Sequence, residues 1–224
     1  MDHVTHDITD AGKGRGVWEA YGRPPVPAVV AGEQVVPVLH VSQVASLLGL
    51  PLPDTRSGVT LAWDAVTVLD SWLSQVERLD WQQLTLPTRS RGRTLRNLTV
   101  NVFRPYGLLP AAWRTGEFPW GAGGDEPVEA ALTTERELLD WAFGVLADWQ
   151  GFLLDHADEL GDRDPEVVTP KGTVAYSVVL TSQRYHAAAH HRQLVHTLAE
   201  WGLDVDDVLD VERLEGLELA ERIF

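Results

Sequence analysis

The chain has 224 residues and a formal net charge of −15 at pH 7, from 33 acidic and 18 basic side chains. Nucleic acids and anionic membranes bind basic surfaces, so this charge balance argues against both as partners. The absence of cysteine excludes disulfides, thiolate metal ligands and cysteine nucleophiles, which leaves His, Asp, Glu and Asn as candidate metal ligands.

The amino-terminal segment differs from the rest of the chain. Residues 1–16 are polar and predict a loose leader that lacks the basic and apolar parts of a signal peptide. Since no apolar run approaches membrane-spanning length, we expect a cytoplasmic protein. Two apolar runs, 26–31 and 35–39, flank turn residues and predict a β-hairpin. A short helix is expected to follow, with Ser42 as its cap and Gly49 as its stop.

This segment resembles the second half of a thioredoxin or glutaredoxin fold, in which a Val-Pro strand, a hairpin and a terminal helix follow one another. Val26-Pro27 matches the position of that family's cis-proline. The first half of the fold and its cysteine motif are absent, so the resemblance implies no redox activity. The alternative is a small hairpin and helix packed on the main domain.

From residue 56 onward the apolar residues recur at helical spacing. The first helix carries a single apolar stripe, which faces the core of a bundle. A second helix spans 94–103, after the arginine-rich loop 88–93, and we expect Pro105 to interrupt it. The stripe of the first helix comprises Leu61, Ala65, Val68, Leu69, Trp72, Leu73 and Val76.

Two further helices complete the pattern. Thr134 and Glu137 form a capping box, and the apolar stripe that follows predicts a long third helix ending near Gly161. After a proline-containing loop, residues 174–201 predict a fourth helix. The glycine-rich loop before the third helix, 113–127, carries two aromatic side chains that either cover a pocket or pin the loop to the core. These aromatic residues are Phe118 and Trp120.

Four long amphipathic helices predict a mainly α protein, a four-helix bundle with a small hairpin-and-helix appendage. We expect the appendage at residues 1–55, the bundle at 56–205 and an acidic tail at 206–224. A homodimer is a further expectation, because the tail offers apolar residues for contact. These are Leu214, Leu217, Leu219 and Ile223.

The fourth helix is rich in histidine. His186 and His190 are four residues apart, so they lie one turn apart on the same helix face. Imidazole nitrogens bind divalent zinc, nickel, iron or copper, and the pair therefore predicts two metal ligands. A solvated or hydrogen-bonded pair is the alternative. His191 and His196 point elsewhere at 3.6 residues per turn, and we interpret them as surface or structural residues.

The end of this helix follows a longer pattern. It comprises His186, His190, Gln193, Leu198, Trp201 and Gly202. The pattern resembles the HxxxHxGQ…LxxxG ending found in the DinB/YfiT-like family of four-helix-bundle metalloenzymes, with Arg192 at the position of the usual glycine. The resemblance covers about residues 60–203.

The second helix resembles the region of that family that ends in its first metal-binding histidine, but Asn101 stands at that position. The amide oxygen of asparagine is neutral and hard, which suits calcium or magnesium better than zinc. The resemblance therefore implies a site for zinc or nickel with His186, His190 and Asn101 as ligands and Gln193 as support. An empty site, or a substitute ligand such as His156 or a carboxylate, remains open.

The family includes thiol S-transferases that use mycothiol or bacillithiol, and a mycothiol-dependent maleylpyruvate isomerase. The resemblance implies a metal that activates the thiol of such a cofactor by lowering its pKa. We therefore expect a metal-dependent thiol S-transferase or isomerase with a small-molecule substrate. The alternative is a metal-free bundle that binds a small molecule or a partner subunit, favoured by Asn101 and by nine tryptophans. A hydrolase using Ser182 lacks an acidic partner and a nucleophile-elbow pattern.

Overall fold

The protein is mainly helical, as expected. The computed structural model describes residues 4–8, 10, 12–38, 41–49, 58–89, 92–120, 123–205, 208–211, 214, 217 and 219. Within these ranges lie nine α-helices and two small antiparallel sheets of two strands each. None of the helices in the described ranges is both long enough and apolar enough to cross a membrane.

The chain forms two compact units, residues 1–55 with 170–172 and residues 56–169 with 173–224. In the first unit the hairpin pairs Ala28 with Pro37 and Ala31 with Gln34, and the Val26–Pro27 peptide bond is cis. The elements of this unit are α1 (Gly14–Ala20), β1 (Ala28–Ala31), β2 (Gln34–Pro37) and α2 (Val41–Leu47).

Two details of this unit differ from the expectation. Helix α1 begins inside the predicted leader, and the indole nitrogen of Trp18 donates to the carbonyl of Pro24, which fastens the helix to the chain that follows it. Helix α2 begins at Val41, one residue before Ser42. Gly49 adopts a φ of +63° beyond the helix end, a conformation that favours glycine as the expected stop. The predicted second strand ended at position 39, which lies outside the described residues.

Four long helices dominate the second unit. They are α3 (Gly58–Val76), α5 (Leu95–Thr115), α7 (Glu135–Asp155) and α9 (Tyr176–Glu200). Helix α3 packs against α7 and α9, and α5 packs against the same two helices. Their shared core is apolar, and fully burying one of its large side chains stabilises the fold by roughly 1.5–3 kcal/mol. Its largest members include Trp72, Leu98, Phe103, Tyr106 and Trp149.

Shorter elements join the long helices. They are α4 (Trp81–Thr85), α6 (Glu126–Ala131), α8 (Ala157–Asp162), β3 (Glu166–Thr169) and β4 (Gly172–Ala175). The predicted capping box is present, since Thr134 accepts from the amide of Glu137 while the Glu137 carboxylate accepts from the amide of Thr134. A loop was expected where β3 and β4 lie, because the prolines on either side concealed two four-residue strands.

The expectation that Pro105 interrupts the second helix is wrong. Helix α5 continues through Pro105 and Pro110 to Thr115. A proline inside a helix costs about 3 kcal/mol because it cannot donate to the carbonyl four residues earlier. The burial of Tyr106 and Leu109 against the neighbouring helices offsets that cost.

The predicted third helix is two helices. Helix α7 ends at Asp155, and α8 begins at Ala157. His156 lies between them with non-helical backbone angles, its ring tilted against Phe152 at 4.7 Å between centroids. The apolar stripe continues past this break to Leu160, so the pattern alone concealed the junction.

Candidate functional site

Helices α5 and α9 run antiparallel and bring the predicted site residues together. The Tyr106 hydroxyl donates to the carbonyl of Gln183, and the Tyr176 hydroxyl donates to the carbonyl of Leu109. Later positions in α5 thus contact earlier positions in α9. In this register Asn101 meets His186, whose Nε2 atom lies 3.0 Å from the Asn101 Oδ1 atom.

His186 and His190 lie side by side on α9. Their ring centroids are 4.7 Å apart and their planes are almost perpendicular, at 86°. The His190 Nδ1 atom lies 2.9 Å from Oε1 of Gln193, one turn further along the helix. The side chain of Gln193 therefore orients the His190 ring.

Asp125 extends this cluster from the loop before α6. Its Oδ2 atom accepts from Nδ2 of Asn101 at 2.7 Å, and its Oδ1 atom lies 3.3 Å from a guanidinium nitrogen of Arg104. A chain of polar contacts thus runs from Arg104 through Asp125 and Asn101 to His186. The sequence allows a carboxylate as a substitute metal ligand, but it contains no local pattern that identifies Asp125, which is 24 residues from Asn101.

The polar contacts decide which imidazole nitrogens carry hydrogen. A carboxylate only accepts, so Asn101 donates to Asp125 and presents its oxygen to His186. His186 must then donate through Nε2, which leaves the lone pair of its buried Nδ1 atom without a partner among the described residues. His190 donates through Nδ1 to Gln193, so its lone pair lies on Nε2.

Both imidazoles are held in the neutral form. Burial, the neighbouring His190 ring and the positive charge of Arg93 lower the pKa of His186 to about 3. Burial also lowers the pKa of His190, and the hydrogen bond to Gln193 opposes this only in part. Neutral imidazole is the form that binds metals, so neither ring has to lose a proton to water before it binds one.

The two predicted loop aromatics have different surroundings. Trp120 is partly buried with its ring edge-on to His186, 5.7 Å between centroids, and its carbonyl accepts from Arg104. Phe118 is almost fully buried, and its amide donates to the carbonyl of Val168 in β3. Trp120 therefore belongs to the site, whereas Phe118 anchors the start of the loop.

His191 forms a separate buried contact. Its Nε2 atom lies 2.9 Å from Oγ of Ser71 in α3, and Leu209 of the carboxy-terminal segment donates its amide to the same oxygen. The edge of the ring contacts Trp72, and burial lowers the pKa of His191 to about 4. This histidine is structural and joins α9 to α3.

Other sequence candidates lie away from the cluster or make no contact with it. His156 pairs with Glu159 at the junction of α7 and α8, 3.2 Å between Nδ1 and Oε1. His196 pairs with Glu200 at the end of α9. Within the described residues Ser182 forms no hydrogen bond with His186, whose Nε2 partner is Asn101.

The cluster contains donor types that can bind a divalent cation. The two imidazoles are neutral, and Asn101 adds an oxygen that points at one of them. The 3.0 Å between Nε2 of His186 and Oδ1 of Asn101 is an ordinary hydrogen-bond distance. In the described part of the chain no three His, Asp or Glu side chains form a group that could hold a metal ion.

Comparisons of the chain with protein-family models, curated proteins and solved structures gave no match. The resemblance to the DinB/YfiT-like family therefore rests on the residues of α5 and α9.

Proposed function

We propose that the second unit is a DinB-like four-helix bundle that binds a divalent metal and acts as a thiol S-transferase or isomerase. The observation that carries this proposal is the contact of Asn101 with His186, which lies 85 residues later in the sequence and beside the ring of His190. The four long helices, each in contact with two others, support the bundle topology.

His186, His190 and Asn101 would hold the metal, with Asp125 fixing the Asn101 amide and Gln193 fixing the His190 ring. For His186 to serve as a ligand through Nε2, the hydrogen on that atom would have to move to Nδ1, whose lone pair has no partner among the described residues. A bound divalent cation would supply the charge that keeps a low-molecular-weight thiol in its thiolate form. Because the chain has no cysteine, that thiol comes from a cofactor.

The test is the metal content of untagged protein, followed by titration of metal-stripped protein with zinc and nickel. We expect stoichiometric metal in the wild type and its loss in His190→Ala. The control is His196→Ala, which removes a histidine of the same helix that pairs with Glu200 outside the cluster. Wild-type protein that holds no metal and takes up neither ion would rule the proposal out.

A second function is favoured by a specific observation. Both polar atoms of the Asn101 side chain are already paired, the oxygen with His186 and the nitrogen with Asp125. A fully paired amide is the arrangement of a polar network that needs no metal. In that case the bundle binds a small molecule or a partner subunit, and a ligand that perturbs the Trp120 ring without added metal would establish this function.

A further inference from the structure

Basic residues of this acidic protein are concentrated in the sequence just before α5 and in its first half. The whole chain has 18 Lys and Arg, and five of them fall between positions 88 and 105. These are Arg89, Arg91, Arg93, Arg96 and Arg104. A local excess of positive charge on a chain of net charge −15 is a site that attracts anions.

Three of these arginines have partners within the protein. Arg89 pairs with Glu200 at 2.7 Å, Arg104 pairs with Asp125, and Arg96 donates to the carbonyls of the chain around Leu132. Their charge or donor capacity is thus already used by the fold.

Arg93 differs from them. Its side chain is exposed, and within the described residues it forms no hydrogen bond or ion pair with a carboxylate. Its backbone is nevertheless fixed, because its carbonyl accepts from the amide of Thr88 at 2.8 Å and the next residue, Thr94, caps α5. A fixed backbone with a guanidinium that has no carboxylate partner among the described residues is a prepared donor for an external acceptor.

The geometry places Arg93 beside the two histidines. Since α5 and α9 are antiparallel and meet at Asn101 and His186, the start of α5 lies along the part of α9 that follows His186. A second contact joins the chain before α5 to the end of α9, because Arg89 pairs with Glu200. Arg93 lies between these two points, and its charge acts on both His186 and His190.

We infer that Arg93 is the anion-binding residue of this site. Its guanidinium binds a carboxylate of the ligand, and the other end of the ligand reaches the two histidines. One guanidinium offers one positive charge and two parallel N–H donors, which match a carboxylate. A phosphate carries up to two charges near neutral pH and is less well matched by one arginine. The inference rests on the proposed function for the thiol end of the ligand, which makes the ligand a thiol carboxylate.

The experiment uses metal-stripped, full-length protein, so that it does not depend on metal binding. Mercaptoacetate, 2-mercaptoethanol and inorganic phosphate are titrated at constant ionic strength, and the imidazole signals of His186 and His190 are followed by NMR. The variants are Arg93→Ala and Arg93→Lys. The matched control is Arg136→Ala, which removes an arginine that is 90% exposed and pairs with Asp140 on α7.

We expect saturable binding of mercaptoacetate to the wild type, weakened about tenfold in Arg93→Ala, because a hydrogen bond to a charged group has that effect on affinity. Arg93→Lys keeps the charge but lacks the two parallel donors, so its affinity for mercaptoacetate should lie between those of the wild type and Arg93→Ala. Arg136→Ala should bind as the wild type does, and 2-mercaptoethanol should show no dependence on Arg93.

Four results would overturn the inference: no saturable response to mercaptoacetate, equal losses in Arg93→Ala and Arg136→Ala, equal binding of 2-mercaptoethanol, or tighter binding of phosphate. These outcomes are distinct from failure of the proposed function. If metal titration fails and the carboxylate response depends on Arg93, the site binds an anion without a metal. If metal binds and the response is absent, the metal site remains and Arg93 has no ligand role.

Discussion

The Oδ1 atom of Asn101 lies 3.0 Å from the Nε2 atom of His186, and this contact joins α5 to the histidine face of α9. Asn101 therefore belongs to the cluster. The family resemblance implies a histidine at this position. Whether the position can serve a metal therefore depends on the side-chain chemistry of residue 101, because the helices already bring it to the imidazoles.

Asn101→His should raise the affinity for zinc by about tenfold or more, since an imidazole is a far better zinc ligand than a neutral amide oxygen. Competition with a chromophoric chelator measures the change. Gln82→His, on the exposed part of α4, controls for the addition of a histidine and should leave the affinity unchanged. An unaltered affinity in Asn101→His would place residue 101 outside any metal site.

Asp125→Ala should free the Asn101 amide to rotate, because Asp125 accepts from its nitrogen. We expect a mixture of His186 tautomers in long-range ¹H–¹⁵N spectra, in place of a single form with hydrogen on Nε2.

Loss of the partly exposed contact between Asp125 and Asn101 should lower the free energy of unfolding, measured in urea, by about 1–2 kcal/mol. Asp140→Ala, which breaks the exposed pair with Arg136, should cost less than about 0.5 kcal/mol. Unchanged tautomers in Asp125→Ala would remove Asp125 from the network.

Ser71→Ala should destabilise the protein by roughly 1–3 kcal/mol, because it leaves the buried His191 ring without its hydrogen-bond partner. It also removes the acceptor of the Leu209 amide. Urea unfolding measures the loss. Ser74→Ala is the control, since Ser74 is exposed and its hydroxyl bonds with Ser71 and Gln75 of the same helix. Equal stability of the two variants would show that the Ser71–His191 contact contributes nothing.

The free energy of unfolding should fall as the pH is lowered from about 6.5 toward 4. Burial holds the pKa of His191 at about 4 and helps to hold that of His186 at about 3, whereas both titrate near 6.5 in the unfolded chain. In this window the unfolded state binds more protons, so each histidine stabilises the fold fully above pH 6.5 and loses that contribution as the pH falls.

The slope of the free energy of unfolding against pH approaches roughly 1.4 kcal/mol per pH unit for each buried histidine. Chemical denaturation at a series of pH values measures it. His191→Gln should flatten the profile, and His196→Gln, at the more exposed end of α9, should not. A profile for His191→Gln that is as steep as the wild type would contradict the assignment.

The sequence by itself determined the helical parts of this protein and the pairing of His186 with His190. Both follow from local geometry, since apolar residues at helical spacing form one face and residues four apart share it. The capping box at Thr134 is predictable for the same reason, because its partners lie within one turn.

The tertiary structure alone decided everything that depends on distant parts of the chain. Asp125 reaches Asn101, and Ser71 reaches His191 across 120 residues, through packing that no local pattern encodes. Helix α5 passes Pro105 because contacts with α7 and α9 outweigh an unfavourable local preference. The neutral state of the histidines likewise follows from burial, which is a property of the assembled core and not of the helix that carries them.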